Sequence, residues 1–377
     1  MAFRSRREST PESESSRPAN HHSRPASSTT GGFNGRAAYT TGRGGPGVLV
    51  VRDRYVPDPG PGEVVVEIHA AGVAFGDQML REGLRPDAQP PSIPGYDAAG
   101  VVVATGPGVE EVQVGAHVAV WTGGTGGYAT YISAPAWAVV EYPAGLGAEL
   151  VASLILNYLT AYQLLTRAAP VADGATVLIH PAGGNVGTAL LELGALRSLR
   201  MLGTGGASRA DRIHRLGGEP IDYRADDYAR RVRVEAPDGV DVIFDAIGGG
   251  SWRKSLPLLR ADGHLVIYGV TESIRNGRRN LAGLLTGAIQ APRTSYLTYF
   301  QRGVGVSGYR IDQSVPAHHD WYREDLEAVL HLLRDGKISP SIHRTFALDQ
   351  VADAHRELGT GHTTGKILLL PNGDRSG

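Results

Sequence analysis

Residues 175–187 read ATVLIHPAGGNVG, an apolar run that stops at a proline and then places three glycines and an asparagine before a Leu/Ala-rich segment. Val177, Leu178 and Ile179 make the kind of run found in a strand buried on both faces. The following TALLELGALRSL has no proline and reads as a helix. Ala182, Gly183, Gly184, Asn185, Val186 and Gly187 therefore form a strand-to-helix turn. Missing side chains there let backbone N–H groups approach a ligand, and the helix N-terminus attracts its negative charge, as a pyrophosphate requires. An empty tight turn is the alternative, because glycine spacing alone is a weak signal.

The flanking segments decide between the two. RMLGTGG reads as a second strand, SRADRIHRLGG as a helix closed by glycine, and EPIDYR as a third strand. VDVIFDAIGG, SWRKSLPLLRADG and HLVIYGV repeat the rhythm. Strands alternating with helices of about 10–15 residues predict a parallel sheet with right-handed crossovers. The glycine turn then lies at the carboxyl end of the first strand, where a doubly wound sheet binds a dinucleotide.

NAD sites carry an acid about 20 residues beyond the glycines, at the end of the second strand, to hold the ribose hydroxyls. Here that region reads Gly203, Thr204, Gly205, Gly206, Ala207, Ser208, Arg209, without a carboxylate. A hydroxyl and a guanidinium suit a 2′-phosphate instead, through charge-assisted hydrogen bonds. Arg224, after Tyr223, adds a second guanidinium at the end of the third strand. These residues predict NADPH; two solvated surface arginines are the alternative.

At 377 residues the chain has room for about two domains. A net charge of −1, with Lys and Arg spread along the chain, argues against nucleic acid as a partner. No apolar run approaches the roughly 18 residues of a membrane span, and no secretion signal opens the chain, so a cytoplasmic protein with no membrane partner is expected. The absence of cysteine removes disulfides, thiol nucleophiles and Cys-rich zinc or iron–sulfur sites.

Residues 1–34, rich in Ser, Pro and Arg, read as a disordered tail that cannot offset its ordering entropy. Their Arg and Ser content is that of a transit peptide, but Glu8, Glu12 and Glu14 argue against one. His21 and His22 read as tail residues rather than metal ligands. Beyond the tail, GVLVVRD, GEVVVEIHAAGV, AAGVVVATG and GAHVAVW are short strands broken by Gly and Pro, the texture of a barrel-like β domain. The end of the chain reads as helix, strand, helix and strand, closing on GKILLLP.

In order, PGPGEVVVEIHAAGV, PPSIPGYDAAGVVVATGPGVEEVQVG, GGYATYISAP, the PAGGNVG turn and the terminal TGKILLL resemble the medium-chain dehydrogenase/reductase superfamily, most closely its zinc-free quinone oxidoreductase (zeta-crystallin-like) branch. The resemblance covers about 36–371. It implies an α/β fold: a Rossmann doubly wound parallel sheet plus a GroES-like, mostly β, barrel-like domain. On that pattern residues 35–157 begin the GroES-like catalytic domain, 158–310 form the Rossmann NADPH-binding domain, and 311–377 return to the catalytic domain. A homodimer is the usual assembly.

Zinc-dependent members of the superfamily carry cysteines and a His–Glu pair; here Gly95, Tyr96 and Asp97 occupy the region of that pair, and no metal site is expected. His318, His319 and Asp320 read as a surface cluster. In the turn, Ala182, Gly184 and Gly187 match the family, whereas Pro181 and Asn185 do not, and Pro181 removes an N–H donor. Many relatives have an asparagine at Ala74 and a tyrosine at Arg85. Enoyl-thioester reductases use a tyrosine near that place as proton donor, a task for which arginine is a poor acid.

The resemblance places Thr160, Gly248, Tyr268 and Gly269 near the nicotinamide. Thr160 either touches that ring or bonds its own helix backbone. Asp77 matches a family carboxylate whose role is structural or acidic, while Trp121 and Tyr128 line an acceptor pocket or fill core. Catalytic candidates are thus Thr160, Asp77, Tyr96, Arg85 and Trp121. The expected activity is metal-free hydride transfer from NADPH to a quinone or activated enone, with a small-molecule electron acceptor as partner. The alternatives are an enoyl-thioester reductase and a non-catalytic NADPH-binding protein. Hydrolase chemistry has no support, since GVSGY lacks the last glycine of a nucleophile elbow.

Overall fold

Alternation along the apolar strands explains why one sheet can lie between two helical layers. Val177, Ile179, Met201, Val242, Phe244 and Val266 enter one core, and Leu178, Leu202, Ile243 and Leu265 enter the other. The resulting six-stranded sheet has the spatial order Gly218–Asp222, Arg200–Gly205, Thr176–His180, Val240–Asp245, Leu259–Ile267, Gly305–Gly308, with every pairing parallel. Counted along the chain this is 3-2-1-4-5-6, the doubly wound order. Its switch point lies between Thr176–His180 and Val240–Asp245. This is a computed structural model that describes residues 31–373 apart from 144, 226 and 291–295, so His21, His22 and most of the tail read from the sequence lie outside the described residues.

Both ends of the described chain build the second sheet. Ile342–Ala347, Lys366–Leu370, Glu63–Val73, Asp97–Thr105, His117–Trp121 and Val139–Glu141 lie side by side, and Tyr131–Pro135 also pairs with Glu63–Val73. A separate ribbon pairs Phe33–Thr40 with Leu49–Val56, so strand structure begins at Phe33, inside the stretch read as tail.

The helix Ala148–Gln163, extended by a wider turn over Leu164–Ala168, packs against strands of the second sheet and against the helices Asn185–Ala195 and His319–Arg334. It runs through residues 157 and 158, where the sequence reading puts the join between catalytic and cofactor regions. By length and composition Ala148–Ala168 could cross a membrane, which corrects the expectation that no apolar run approaches that length. Its most apolar window is 72% buried inside the protein, so here the apolarity serves as core.

Candidate functional site

The turn Pro181–Gly187 leaves the strand Thr176–His180 at the switch point and enters the helix Asn185–Ala195 at its first turn. A Cβ on Gly187 would stand 2.3 Å from the Pro181 carbonyl oxygen, so glycine is required where helix and turn close on one another. At Gly184 a Cβ would meet only Pro181, 4.0 Å away, which leaves open space in front of the helix N-terminus. Gly183 lies beneath the stem of Arg209, whose Cγ is 2.9 Å from where a Gly183 Cβ would be. Arg209 Nη2 donates to the Gly361 carbonyl at 3.1 Å, while its Nη1 is buried without a hydrogen-bond partner. An unpaired guanidinium nitrogen beside a glycine turn fits a phosphate oxygen.

Residues at the end of the second and third strands separate into different tasks. Ser208 is exposed on the turn Ala207–Arg209. Tyr223 and Arg224 are exposed together, the guanidinium 5.6 Å from the Tyr223 ring and 3.9 Å from a Cβ built on Gly206. Gly205, Gly206, Ala207, Pro220, Asp222 and Arg231 line a cavity of about 310 Å³ at this place. Asp222 is a carboxylate that the linear reading missed, because it arrives from the third strand. One of its oxygens accepts the Arg224 backbone N–H at 2.9 Å. Thr204 turns inward instead: it is fully buried, and its hydroxyl shares a hydrogen bond with His180 Nδ1.

His180 is a second residue not singled out from the sequence, although it immediately precedes the turn. Its ring lies 4.8 Å from the Tyr228 ring, and burial, aided by Lys254, lowers its pKa to about 4. Gly248 has φ 143° and starts the helix Gly249–Ser255, with Glu272 3.0 Å from where a Cβ would be. Tyr268 donates its N–H to the Asp245 carbonyl at 3.0 Å, and Gly269 packs on Ala246. Asp245 itself accepts from Ile247 N at 2.7 Å and Ser251 Oγ at 2.6 Å, and burial pushes it up to about 6. Thr160 donates to the Leu156 carbonyl at 2.6 Å, the helix bond weighed as its alternative.

The GroES-like part brings Arg85, Tyr96 and Trp121 together. Arg85 Nη1 donates to the Tyr96 hydroxyl at 2.8 Å, and the Tyr96 and Trp121 rings lie 5.9 Å apart. The guanidinium is anchored by Asp87 and by the Gly124 carbonyl at 3.3 Å. Asp77 is elsewhere engaged: fully buried, it accepts from Ala74 N at 2.8 Å, Gly95 N at 2.9 Å and Tyr128 OH at 2.8 Å. Burial pushes Asp77 up to about 6 against those three donors. Tyr128 is wholly buried with its hydroxyl spent on Asp77 and 3.2 Å from His355 Nε2, so it is core rather than pocket lining.

Two family models match this chain: an alcohol dehydrogenase GroES-like domain over residues 60–144 and a zinc-binding dehydrogenase over residues 216–369. A quinone oxidoreductase of Pseudomonas aeruginosa is 33% identical over 332 residues, covering 87% of this chain and 97% of that protein. The chain belongs to the zinc-free quinone oxidoreductase branch of the medium-chain dehydrogenase/reductase superfamily. The rat synaptic vesicle membrane protein VAT-1 homolog is 31% identical to this chain over 345 residues, covering 90% of this chain and 85% of that protein. The Escherichia coli quinone oxidoreductase complexed with NADPH superposes with a TM-score of 0.79 at 26% identity, over 89% of this chain and all of that one.

Despite the name of one family model, the residues in the region of the superfamily's His–Glu pair, Tyr96 and Asp97, are engaged with protein partners. Tyr96 is held by Arg85, and Asp97 forms a fully buried ion pair with Lys366 at 3.0 Å. His318 stacks on Trp321 and His319 on Trp137, which separates the two imidazoles. Among the described residues no group of three His, Asp or Glu side chains could hold a metal.

Proposed function

We propose that this chain is a zinc-independent oxidoreductase that uses NADPH to reduce a quinone or an activated enone. The observation that carries the reading is the buried, partnerless Arg209 Nη1 beside the Gly183 turn. It supplies a cation where the backbone already leaves room for a pyrophosphate. Gly183, Gly184 and the first N–H groups of the helix Asn185–Ala195 would hold that group, and Ser208 and Arg224 would hold the 2′-phosphate. NADPH supplies the hydride when bound. The protein orients the acceptor in the lobe of Tyr96, Arg85 and Trp121 and limits the access of water to it.

The test is NADPH consumption by the purified protein with a naphthoquinone, a cyclic enone and a crotonyl thioester, with NADH as the control cofactor. Turnover of the quinone or the enone with NADPH is the expected result. NADPH binding without turnover of any acceptor would instead support the non-catalytic reading. A cytoplasmic homodimer belongs to the same proposal: the strand Gly305–Gly308 is the last in its sheet, with one edge lacking a partner strand among the described residues. Light scattering on the purified protein tests it.

A further inference from the structure

Relatives' tyrosine is missing at Arg85, yet the structure brings another tyrosine to that side chain. The Tyr96 oxygen accepts from Arg85 Nη1 at 2.8 Å, and no hydrogen bond from the Tyr96 O–H to an acceptor occurs among the described residues. Arg85 is not free to swing away, because Asp87 and the Gly124 carbonyl hold the rest of its guanidinium. The phenol ring is fixed as well. A Cβ on Gly76 would come within 2.4 Å of it, and one on Gly124 within 2.8 Å, so two glycines make its slot.

Tyr96 lies in a buried cluster to which both parts of the molecule contribute. Asp312, at the start of the helix Ile311–Ala317 beyond the last parallel strand, acts electrostatically on both Arg85 and Tyr96. Arg310, paired with Asp312, feels Tyr96 in turn. The buried cluster containing Tyr96 and Trp121 continues through Leu154, Ile155 and Leu159 to Ala182 of the phosphate turn, with Tyr268 packed against it. Tyr96 keeps 7% of its surface exposed.

Resting on the oxidoreductase reading above, we propose that Tyr96 is a catalytic proton donor, that Arg85 is its positioning residue, and that the pair makes α,β-unsaturated carbonyl compounds a substrate class of this site. NADPH, when bound, would supply the hydride that makes a C–H bond at the β-carbon, its own C–H bond breaking to leave NADP+. The C=C electron pair moves toward the carbonyl oxygen as an enolate. The Tyr96 O–H bond then breaks, its proton passes to the α-carbon, and the electron pair stays on the phenolate beside the Arg85 cation. A proton from solvent restores the phenol. Burial keeps Tyr96 protonated before the reaction, and the guanidinium stabilises the charge that appears on its oxygen. A quinone has less need of the pair, because the anion formed from it is an aromatic hydroquinone that water can protonate.

The experiment compares wild type, Tyr96→Phe, Arg85→Lys and Arg85→Met, as full chains, with 2-cyclohexenone and a naphthoquinone. Melting temperature and NADPH affinity by fluorescence titration are measured alongside. A positioned acid contributes about 10²–10⁴ in rate. Tyr96→Phe should therefore lower kcat for the enone by at least about 10², with KM little changed, and lower quinone turnover far less. Arg85→Lys should keep more enone activity than Arg85→Met, and the solvent isotope effect on the enone reaction should change in Tyr96→Phe. Equal losses with both acceptors, or wild-type turnover of the quinone alone, overturn the assignment of Tyr96. If the wild type reduces neither acceptor, it is the oxidoreductase reading that fails.

Discussion

Arg209 and Arg224 look equivalent in the sequence, and the structure places them differently: Arg209 over Gly183, Arg224 exposed beside Gly206. The stem of Arg209 covers Gly183, in the part of the turn that under the proposed function would hold the pyrophosphate, a group common to NADPH and NADH. Arg224 is exposed beside Gly206, where the proposal puts the ribose, and the only side chain that its guanidinium bonds among the described residues is Tyr223, at 3.3 Å. A hydrogen bond to a charged group contributes about 1.5–3 kcal/mol, and an exposed site belongs at the lower end of that range. At about 1.4 kcal/mol per factor of ten, Arg224→Ala should weaken NADPH by about tenfold to thirtyfold and leave NADH nearly unaffected. Arg209→Ala should weaken both cofactors together, by about thirtyfold to a hundredfold if its buried nitrogen meets a phosphate. Fluorescence titration of each variant with each cofactor gives the four affinities. Repeating it at high salt should narrow the NADPH difference between wild type and Arg224→Ala, since exposed charges are screened. Equal losses of NADPH and NADH in Arg224→Ala, or a selective loss in Arg209→Ala, would refute this division of labour.

Three further outcomes follow from buried groups. Asp77→Ala strips the acceptor from Ala74 N, Gly95 N and Tyr128 OH, each worth about 1–3 kcal/mol if left unpaired; an unchanged urea midpoint would contradict the network. Lys366→Met leaves the Asp97 charge buried alone and should cost about 3–5 kcal/mol, most of which Lys366→Met with Asp97→Leu should restore in thermal unfolding. Asp245 is raised to about 6 in the fold against about 4 in an unfolded chain, so its contribution is full below about pH 4 and is lost as pH rises through about 6. Asp245→Asn cannot ionise, so its melting temperature relative to wild type should move in its favour between pH 4 and pH 8; a constant difference would show that Asp245 does not titrate.

Local pattern determined the α/β alternation, the glycine turn at the end of the first parallel strand and the β texture of the flanking segments. Each of these is written in neighbouring residues with a period or a breaker. The strand Gly305–Gly308 escaped that reading because its four residues, GVSG, hold a single large apolar side chain, too few to mark a face. Thr160 shows the limit of a local signal: a threonine in a helix can serve a ligand or its own carbonyl with the same sequence, and the structure supplies the Leu156 bond. The arrangement of the site belongs to tertiary structure. Tyr96 meets Arg85 from 11 residues away, Tyr128 meets Asp77 from 51, and Lys366 meets Asp97 from 269. Asp222 reaches the cavity lined by Gly205 and Gly206 only because the third strand lies beside the second in the sheet. Such pairs have no shared periodicity to betray them. Their partners are chosen by the order of strands and by the desolvation of charges that burial forces to find one another.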